Sequence, residues 1–205
     1  MEDKAEFKSL NCLDTAGGLG KYAYCLQMPE TDFIKFISNK TILDLGSGKG
    51  GFAKECASKN IPVIVSSVNP KFSLPGFRKL EKESTVKFVD DPKKIKEVQK
   101  KHDEHAIAGF GQNLPYKNES FDLIFDIMAV SHYSDLDNFR ESAQEMYRVA
   151  KKGGEIIIYA DFSAEFDNEK EYKNKSNVLK EIGISYKEMR ESGYGVPNGF
   201  RITKP

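Results

Sequence analysis

Asp44, Gly46, Gly48 and Gly50 stand in the stretch Thr41-Ile-Leu-Asp-Leu-Gly-Ser-Gly-Lys-Gly-Gly51, where a short apolar run carrying one acid breaks into a glycine-rich turn. Such a turn lets the backbone bend sharply and come close to a ligand where a side chain would collide, the arrangement that receives nucleotides. A carboxylate in an otherwise apolar strand is costly to bury unless a donor or cation pairs with it, so Asp44 must face one. A phosphate-binding P-loop is excluded: Leu43 stands where Lys49 would need its upstream glycine, and Gly50 replaces the hydroxyl residue that holds magnesium. Gly46, Gly48 and Gly51 also satisfy G-x-G-x-x-G, so a dinucleotide site stays open on the glycines alone.

Two later segments narrow the choice. Asn113-Leu-Pro-Tyr-Lys-Asn-Glu-Ser-Phe-Asp-Leu-Ile-Phe125 and Tyr147-Arg-Val-Ala-Lys-Lys-Gly-Gly-Glu-Ile-Ile-Ile158 follow the glycine turn in order. Together with Asp-x-Gly-x-Gly-x-Gly at 44–50, they resemble the class I methyltransferases, which bind S-adenosylmethionine (SAM), and most closely the ubiquinone-biosynthesis-like branch. The resemblance covers about residues 40 to 160. It implies methyl transfer from SAM to a small-molecule acceptor. A SAM-binding or interaction protein without activity is the alternative, and an NAD-dependent oxidoreductase on the same first motif a more distant one.

The resemblance also distributes roles. Gly46, Ser47 and Gly48 face the methionine and ribose portions of the cofactor, with Asp44 behind them. The second strand places Ser67 where the family has an acid for the ribose hydroxyls, flanked by Val68 and by Asn69, which substitutes in part. Phe110 replaces an acid that bonds adenine, and Gly111 and Gln112 border the base through their backbone. Asp126, a further cofactor-binding residue, opens Asp126-Ile-Met-Ala-Val-Ser-His-Tyr133, where methyl group and acceptor should meet. This segment lacks the Pro-Pro of enzymes that methylate base amino groups, so nucleobase amines are not expected acceptors. Methyl transfer from a sulfonium is an in-line displacement, in which alignment supplies most of the acceleration. His132 is the residue suited by type and position to remove a proton from a hydroxyl or an acidic carbon. Tyr133 and Asp161 are acceptor-pocket residues by position, and Tyr22 and Tyr24 lie in a glycine-flanked leader that could cover the acceptor.

The elements that must position these residues follow from periodicity. Ile42–Leu45, Val63–Val68, Ala106–Phe110, Phe121–Ile127 and Glu155–Ala160 read as strands separated by helical or loop material, predicting a parallel sheet with right-handed crossovers. Helices are predicted at Pro29–Asn39, Phe52–Lys59, Pro92–Lys101 after an Asp91 cap, and Ser176–Glu181. The clearest helix carries Phe139, Ala143, Met146 and Ala150 at helical spacing and ends at Gly153-Gly154. Ile184–Arg190 and Gly199–Lys204 predict a terminal hairpin across Gly-Tyr-Gly-Val-Pro-Asn. The expected fold is a Rossmann-like α/β domain: a seven-stranded, mostly parallel sheet, helices on both faces and a C-terminal antiparallel hairpin. Residues 1–40 form a leader and helix that could act as a lid over the acceptor site, and 41–205 the SAM-binding domain.

The chain of 205 residues suits one domain. Lys plus Arg and Asp plus Glu both number 31, giving net charge +0, so no global field favours nucleic acid or an anionic membrane. Cys12, Cys25 and Cys56 form no metal-ligand cluster and suit reduced thiols in the cytoplasm. No metal is expected. The charged start lacks the apolar core of a signal peptide, and no run approaches a membrane span. Fold and cofactor motif are shared by enzymes acting on carbon, oxygen, nitrogen and sulfur, so neither specifies the acceptor, and nothing in the sequence specifies an oligomeric state.

Overall fold

The computed structural model describes residues 18–74, 89–160, 168–190 and 197–205, with backbone alone at 132, 133, 168, 190 and 197. Its elements run α1 (Leu19–Cys25), α2 (Glu30–Ile37), β1 (Thr41–Leu45), α3 (Gly51–Ser58), β2 (Ile64–Val68), a 3-10 turn (Pro70–Ser73) and α4 (Pro92–Asp103). There follow β3 (Ala106–Ile107), β4 (Phe121–Ile127), α5 (Val130–Tyr133), α6 (Leu136–Val149), β5 (Ala150–Tyr159), α7 (Asn168–Glu181), β6 (Lys187–Arg190) and β7 (Pro197–Thr203).

The seven strands form one sheet in the order β3-β2-β1-β4-β5-β7-β6. The ladders from β3 to β5 are parallel, and β7 runs antiparallel to both β5 and β6. This is the predicted Rossmann-like sheet with its antiparallel end. The order reverses between β1 and β4, where Leu45 pairs with Asp126, and there the carboxyl ends of the parallel strands leave a crevice.

Each face of the sheet has its own core. On one, α6 and α7 lay Phe139, Met146 and Leu179 against Leu43, Ile124 and Ile156. On the other, Tyr22 of α1, Phe33 of α2 and Phe52 of α3 pack on Phe125 and Ile157. Tyr22 stacks on Phe52 with centroids 4.3 Å apart, and Phe52 meets Phe125 edge-on at 5.7 Å. Burying each such ring contributes roughly 1.5–3 kcal/mol, with about 0.5–1.5 kcal/mol more from ring geometry.

Local chemistry sets the element ends. Asn39 adopts φ 62° after α2, the left-handed stop expected of Asn there. Asp91 caps α4 by accepting from the Lys93 N–H at 2.8 Å. Four expectations need adjusting. The helix ahead of β5 ends at Val149 rather than at Gly153-Gly154, and β5 starts at Ala150 rather than Glu155, so both glycines lie within the strand. The third strand is only Ala106–Ile107, because the chain turns away towards Gly109 and Phe110. The last helix begins at Asn168 rather than Ser176. The leader contains α1, a helix the flanking glycines conceal, whose buried Leu19, Tyr22, Ala23 and Cys25 anchor it in the core. The Gly-Tyr-Gly-Val-Pro-Asn turn lies mostly outside the described residues.

Candidate active site

A cavity of about 420 Å³ opens over the ends of β1, β2 and β4. It lies within the roughly 300–1,000 Å³ typical of small-ligand sites. Of the predicted residues, Gly46, Gly48, Val68, Asn69, Phe110, Gly111 and Gln112 line it. Leu45, Met128, Ala129, Val130, Ser134 and Asn138 complete the inner wall, with Lys71 at the rim.

The glycine turn is tight by necessity. Gly46, Gly48 and Gly50 have φ of 70°, 55° and 70°, in the left-handed region. A Cβ on Gly46 would stand 2.1 Å from the Ala129 Cβ, so this glycine lets the turn meet the exit of β4. The Gly46 N–H donates to the Val68 carbonyl at 2.7 Å, tying the turn to β2.

Beside the turn, the pleat of β2 buries Ser67 completely and away from the cavity, with its hydroxyl unpartnered among the described residues, while Val68 and Asn69 come to the opening. The Asn69 side chain is held at both ends: Oδ1 accepts from the Lys71 N–H at 2.9 Å, and Nδ2 donates to the Gly48 carbonyl at 3.1 Å. A carboxylate has no N–H and would set two acceptors against each other here, which explains an amide at the mouth.

Asp44 lies behind the turn, fully buried on the face of α1 and α3. The Tyr22 hydroxyl donates to its Oδ1 at 2.6 Å, while Oδ2 has no hydrogen-bond partner among the described residues. Burial pushes the carboxyl up to about 7; the bond from Tyr22 and the charge of Lys21 pull it down, and Asp126 pushes it up. Tyr22 is pushed above its ordinary value by burial and then by Asp44.

Asp126 is equally buried and projects to the opposite face. Its Oδ2 accepts from the Ser131 N–H at 3.0 Å and its Oδ1 has no partner among the described residues. Burial raises this carboxyl to about 6, with bonds from Ser131 and the charge of Lys175 lowering it. The switch point thus carries one acid on each face of the sheet, each with an oxygen left over. A buried carboxylate oxygen without a donor is an expensive arrangement unless a ligand completes it.

The loop after β3 supplies the far wall. Phe110 is 64% exposed at the cavity edge, so it is no core aromatic. Gly111 sits where a Cβ would press on Ser142 and Val130, and Gln112 donates to Asn138 Oδ1 at 2.7 Å. Arg148 fixes the loop by donating to the Leu114 and Tyr116 carbonyls while pairing with Glu145 at 2.7 Å.

Other predicted residues fall elsewhere. Ser47 is buried without lining the cavity, its hydroxyl unpartnered among the described residues. Tyr22 belongs to the aromatic core, and Tyr24 borders a separate groove of about 260 Å³ with Tyr159 and Met189. His132 and Tyr133 lie in α5 at the end of β4, described by backbone only, and Asp161 lies outside the described residues. Sequence reasoning missed Met128, with φ 54°, and the buried Ser131 and Lys175. No signal marks these, since a lysine within a helix ordinarily reads as solvated.

The cavity suits an adenosyl sulfonium in three respects: bare main chain at Gly46 and Gly48, an apolar edge at Phe110, and an orphaned acid beneath. Among known proteins, the family described as "Methyltransferase domain" matches residues 43–158. Norajmaline N-methyltransferase of Rauvolfia serpentina is 36% identical over 77 residues, which are 37% of this chain but only 25% of that enzyme. The chain thus spans about a quarter of the length of this relative. A candidate S-adenosyl-L-methionine-dependent methyltransferase from Methanococcus maripaludis shares the fold with a TM-score of 0.62 at 21% identity, over 100% of this chain and 96% of that one. A SAM-dependent methyltransferase from Methanosarcina mazei aligns with a TM-score of 0.51 at 15% identity, over 82% and 93% of the two chains.

Proposed function

The chain belongs to the methyltransferase domain family, whose methyl donor is SAM, and we propose that it methylates a small-molecule acceptor in the cytoplasm. The observation that carries this reading is the cavity at the strand switch point, floored by a turn whose first glycine admits no side chain and backed by an acid with one unsatisfied oxygen.

SAM supplies an electrophilic methyl group on a sulfonium. Gly46, Ser47 and Gly48 receive its methionine portion with Asp44 behind them, and Val68 and Asn69, with Ser67 beneath, receive the ribose. Phe110, Gly111 and Gln112 border the adenine, Phe110 by stacking. Asp126 holds the start of α5 and thereby the wall beside the methyl group. His132 takes a proton from acceptors that must lose one, and Tyr133 and Asp161 belong to the acceptor side, whereas Tyr22 and Tyr24, held in the core and at a separate groove, do not. Alignment of the acceptor with methyl and sulfur is the main catalytic effect. Buried thiols at Cys25 and Cys56, with no disulfide between them, fit a reducing compartment. Among the described residues no helix is long and apolar enough to cross a membrane. Balanced charge favours a small acceptor over a nucleic acid.

Calorimetric titration with SAM and S-adenosylhomocysteine tests the site. The expected result is micromolar binding of both to the natural chain and none to a folded Gly48→Val variant, whose side chain intrudes on the cavity. Equal affinity in the two proteins would place the site elsewhere.

A further inference from the structure

Ser131, in the one-turn helix α5, is fully buried and held from three elements. Its N–H donates to Asp126 of β4 at 3.0 Å, its hydroxyl reaches the Tyr159 carbonyl of β5 at 3.5 Å, and its carbonyl accepts from Lys175 Nζ of α7. Lys175 has a side chain only 1% exposed, pairs with Glu171 one turn earlier, and lies 5.6 Å from the centre of the Phe139 ring. An ammonium on a helix ordinarily reaches water, and enclosing one is costly unless its donors are met. This one divides its donors between Glu171 and the main chain of a single turn.

That turn leaves β4 in a conformation it would not choose alone. Met128 has φ 54°, a left-handed value unfavourable for a residue with a Cβ. Such a conformation persists only where surrounding contacts over-determine it. Immediately beyond, Ala129 meets Gly46, and Met128, Ala129 and Val130 form the cavity wall beside the end of β4. Asp126 holds the N–H of Ser131 and Lys175 its carbonyl, so opposite charges grip both of its polar main-chain atoms.

We propose, resting on the reading of this cavity as the SAM site, that Lys175 is a positioning residue for methyl transfer. Its ammonium clamps the turn from Met128 to Ser134 so that the wall beside the reacting methyl group keeps its left-handed entry. It touches neither cofactor nor acceptor; it acts through Ser131.

The test uses the full chain with Lys175→Met, which keeps the apolar stem and removes the ammonium, and Lys175→Arg, which keeps the charge. Val178→Ala, on the same helix and buried in the core, controls for general destabilisation. S-adenosylhomocysteine affinity is measured by calorimetry and amide hydrogen exchange by mass spectrometry. In Lys175→Met the expected result is exchange at least tenfold faster across 128–134 and affinity at least tenfold weaker, with partial recovery in Lys175→Arg. Val178→Ala should lower the melting temperature and leave affinity within twofold of the natural chain. Unchanged exchange across 128–134 in Lys175→Met overturns the clamp, and so does an affinity loss in Val178→Ala equal to that in Lys175→Met. If the natural chain binds no S-adenosylhomocysteine, the cavity reading fails while exchange still decides on the clamp. Should Lys175→Met not fold, Lys175→Gln, a shorter neutral donor, is expected to show the same localised loosening, and its absence counts equally against the proposal.

Discussion

Asp44 and Asp126 are one residue type at adjacent strand ends, yet the protein treats them differently. Asp126 has the charge of Lys175 and a backbone N–H from Ser131, whereas Asp44 has a neutral hydroxyl and the charge of Lys21. Burial dominates in both, raising Asp126 to about 6 and Asp44 to about 7. A carboxyl whose folded pKa lies above its unfolded value keeps its proton longer in the native state. Its stabilising contribution is therefore complete below about pH 4 and is lost as pH rises through about 7. For Asp44 the loss is on the order of 4 kcal/mol. Asp44→Asn removes that penalty and still accepts from Tyr22, at the cost of an unmet amide N–H of roughly 1–3 kcal/mol. The variant should therefore melt above the natural chain at pH 8 and lose that advantage at pH 5, while its SAM affinity falls at least tenfold. Thermal melts at the two pH values, with calorimetry at pH 8, check this; an Asp44→Asn protein that melts lower at pH 8 would show the acid to be structural. Asp44 was legible in the sequence because an acid in an apolar strand is conspicuous. The cavity-facing role of Asn69 over Ser67 was less so, because a two-residue pleat decides which side chain reaches the opening.

At the scale of elements, α4 and the glycine turn are fitted to each other. The His102 side chain, 1% exposed on the last turn of α4, faces Gly50 and meets Phe72 of the 3-10 turn edge-on at 5.9 Å. A Cβ on Gly50 would stand 2.2 Å from His102 Nε2, and its φ of 70° is unfavourable for any L side chain. Gly153 has a similar φ of 72° but nothing within 4 Å of a Cβ. The two positions separate backbone strain from packing. Gly153→Ala should cost roughly 1 kcal/mol, the strain alone, and Gly50→Ala roughly 3 kcal/mol once the clash is added. Urea unfolding of the pair measures the difference, and equal losses would mean that α4 yields freely. Strands β1, β2 and β4 and helix α6 were legible because buried apolar runs and helical spacing are local. Helix α1 was not, since Gly18 and Gly20 weaken local propensity and burial against Phe52 supplies the stability. Helix α5 is a single turn, too short for any periodicity, and Lys175 is buried only because α7 docks on the turn it holds.

Across the whole molecule, two cores share one sheet back to back: β1 gives Leu43 to one and Ile42 to the other, and β4 divides Ile124 and Phe125 the same way. Neither face can unfold and leave the other covered, so the chain should melt in one transition despite its two apolar clusters. The cavity lies where both faces meet, over the ends of β1, β2 and β4. A ligand bound there stabilises both cores at once, by RT ln(1 + [L]/Kd), or about 2.7 kcal/mol at a hundredfold excess over Kd. For a chain of 205 residues this corresponds to a rise in melting temperature of roughly 5–10 °C. S-adenosylhomocysteine at that excess should move the tyrosine near-ultraviolet signal and the far-ultraviolet helix signal together and leave Gly48→Val unmoved. A shift in only one signal would mean that the ligand holds one face of the sheet, and the crevice between β1 and β4 would not be the site that joins them.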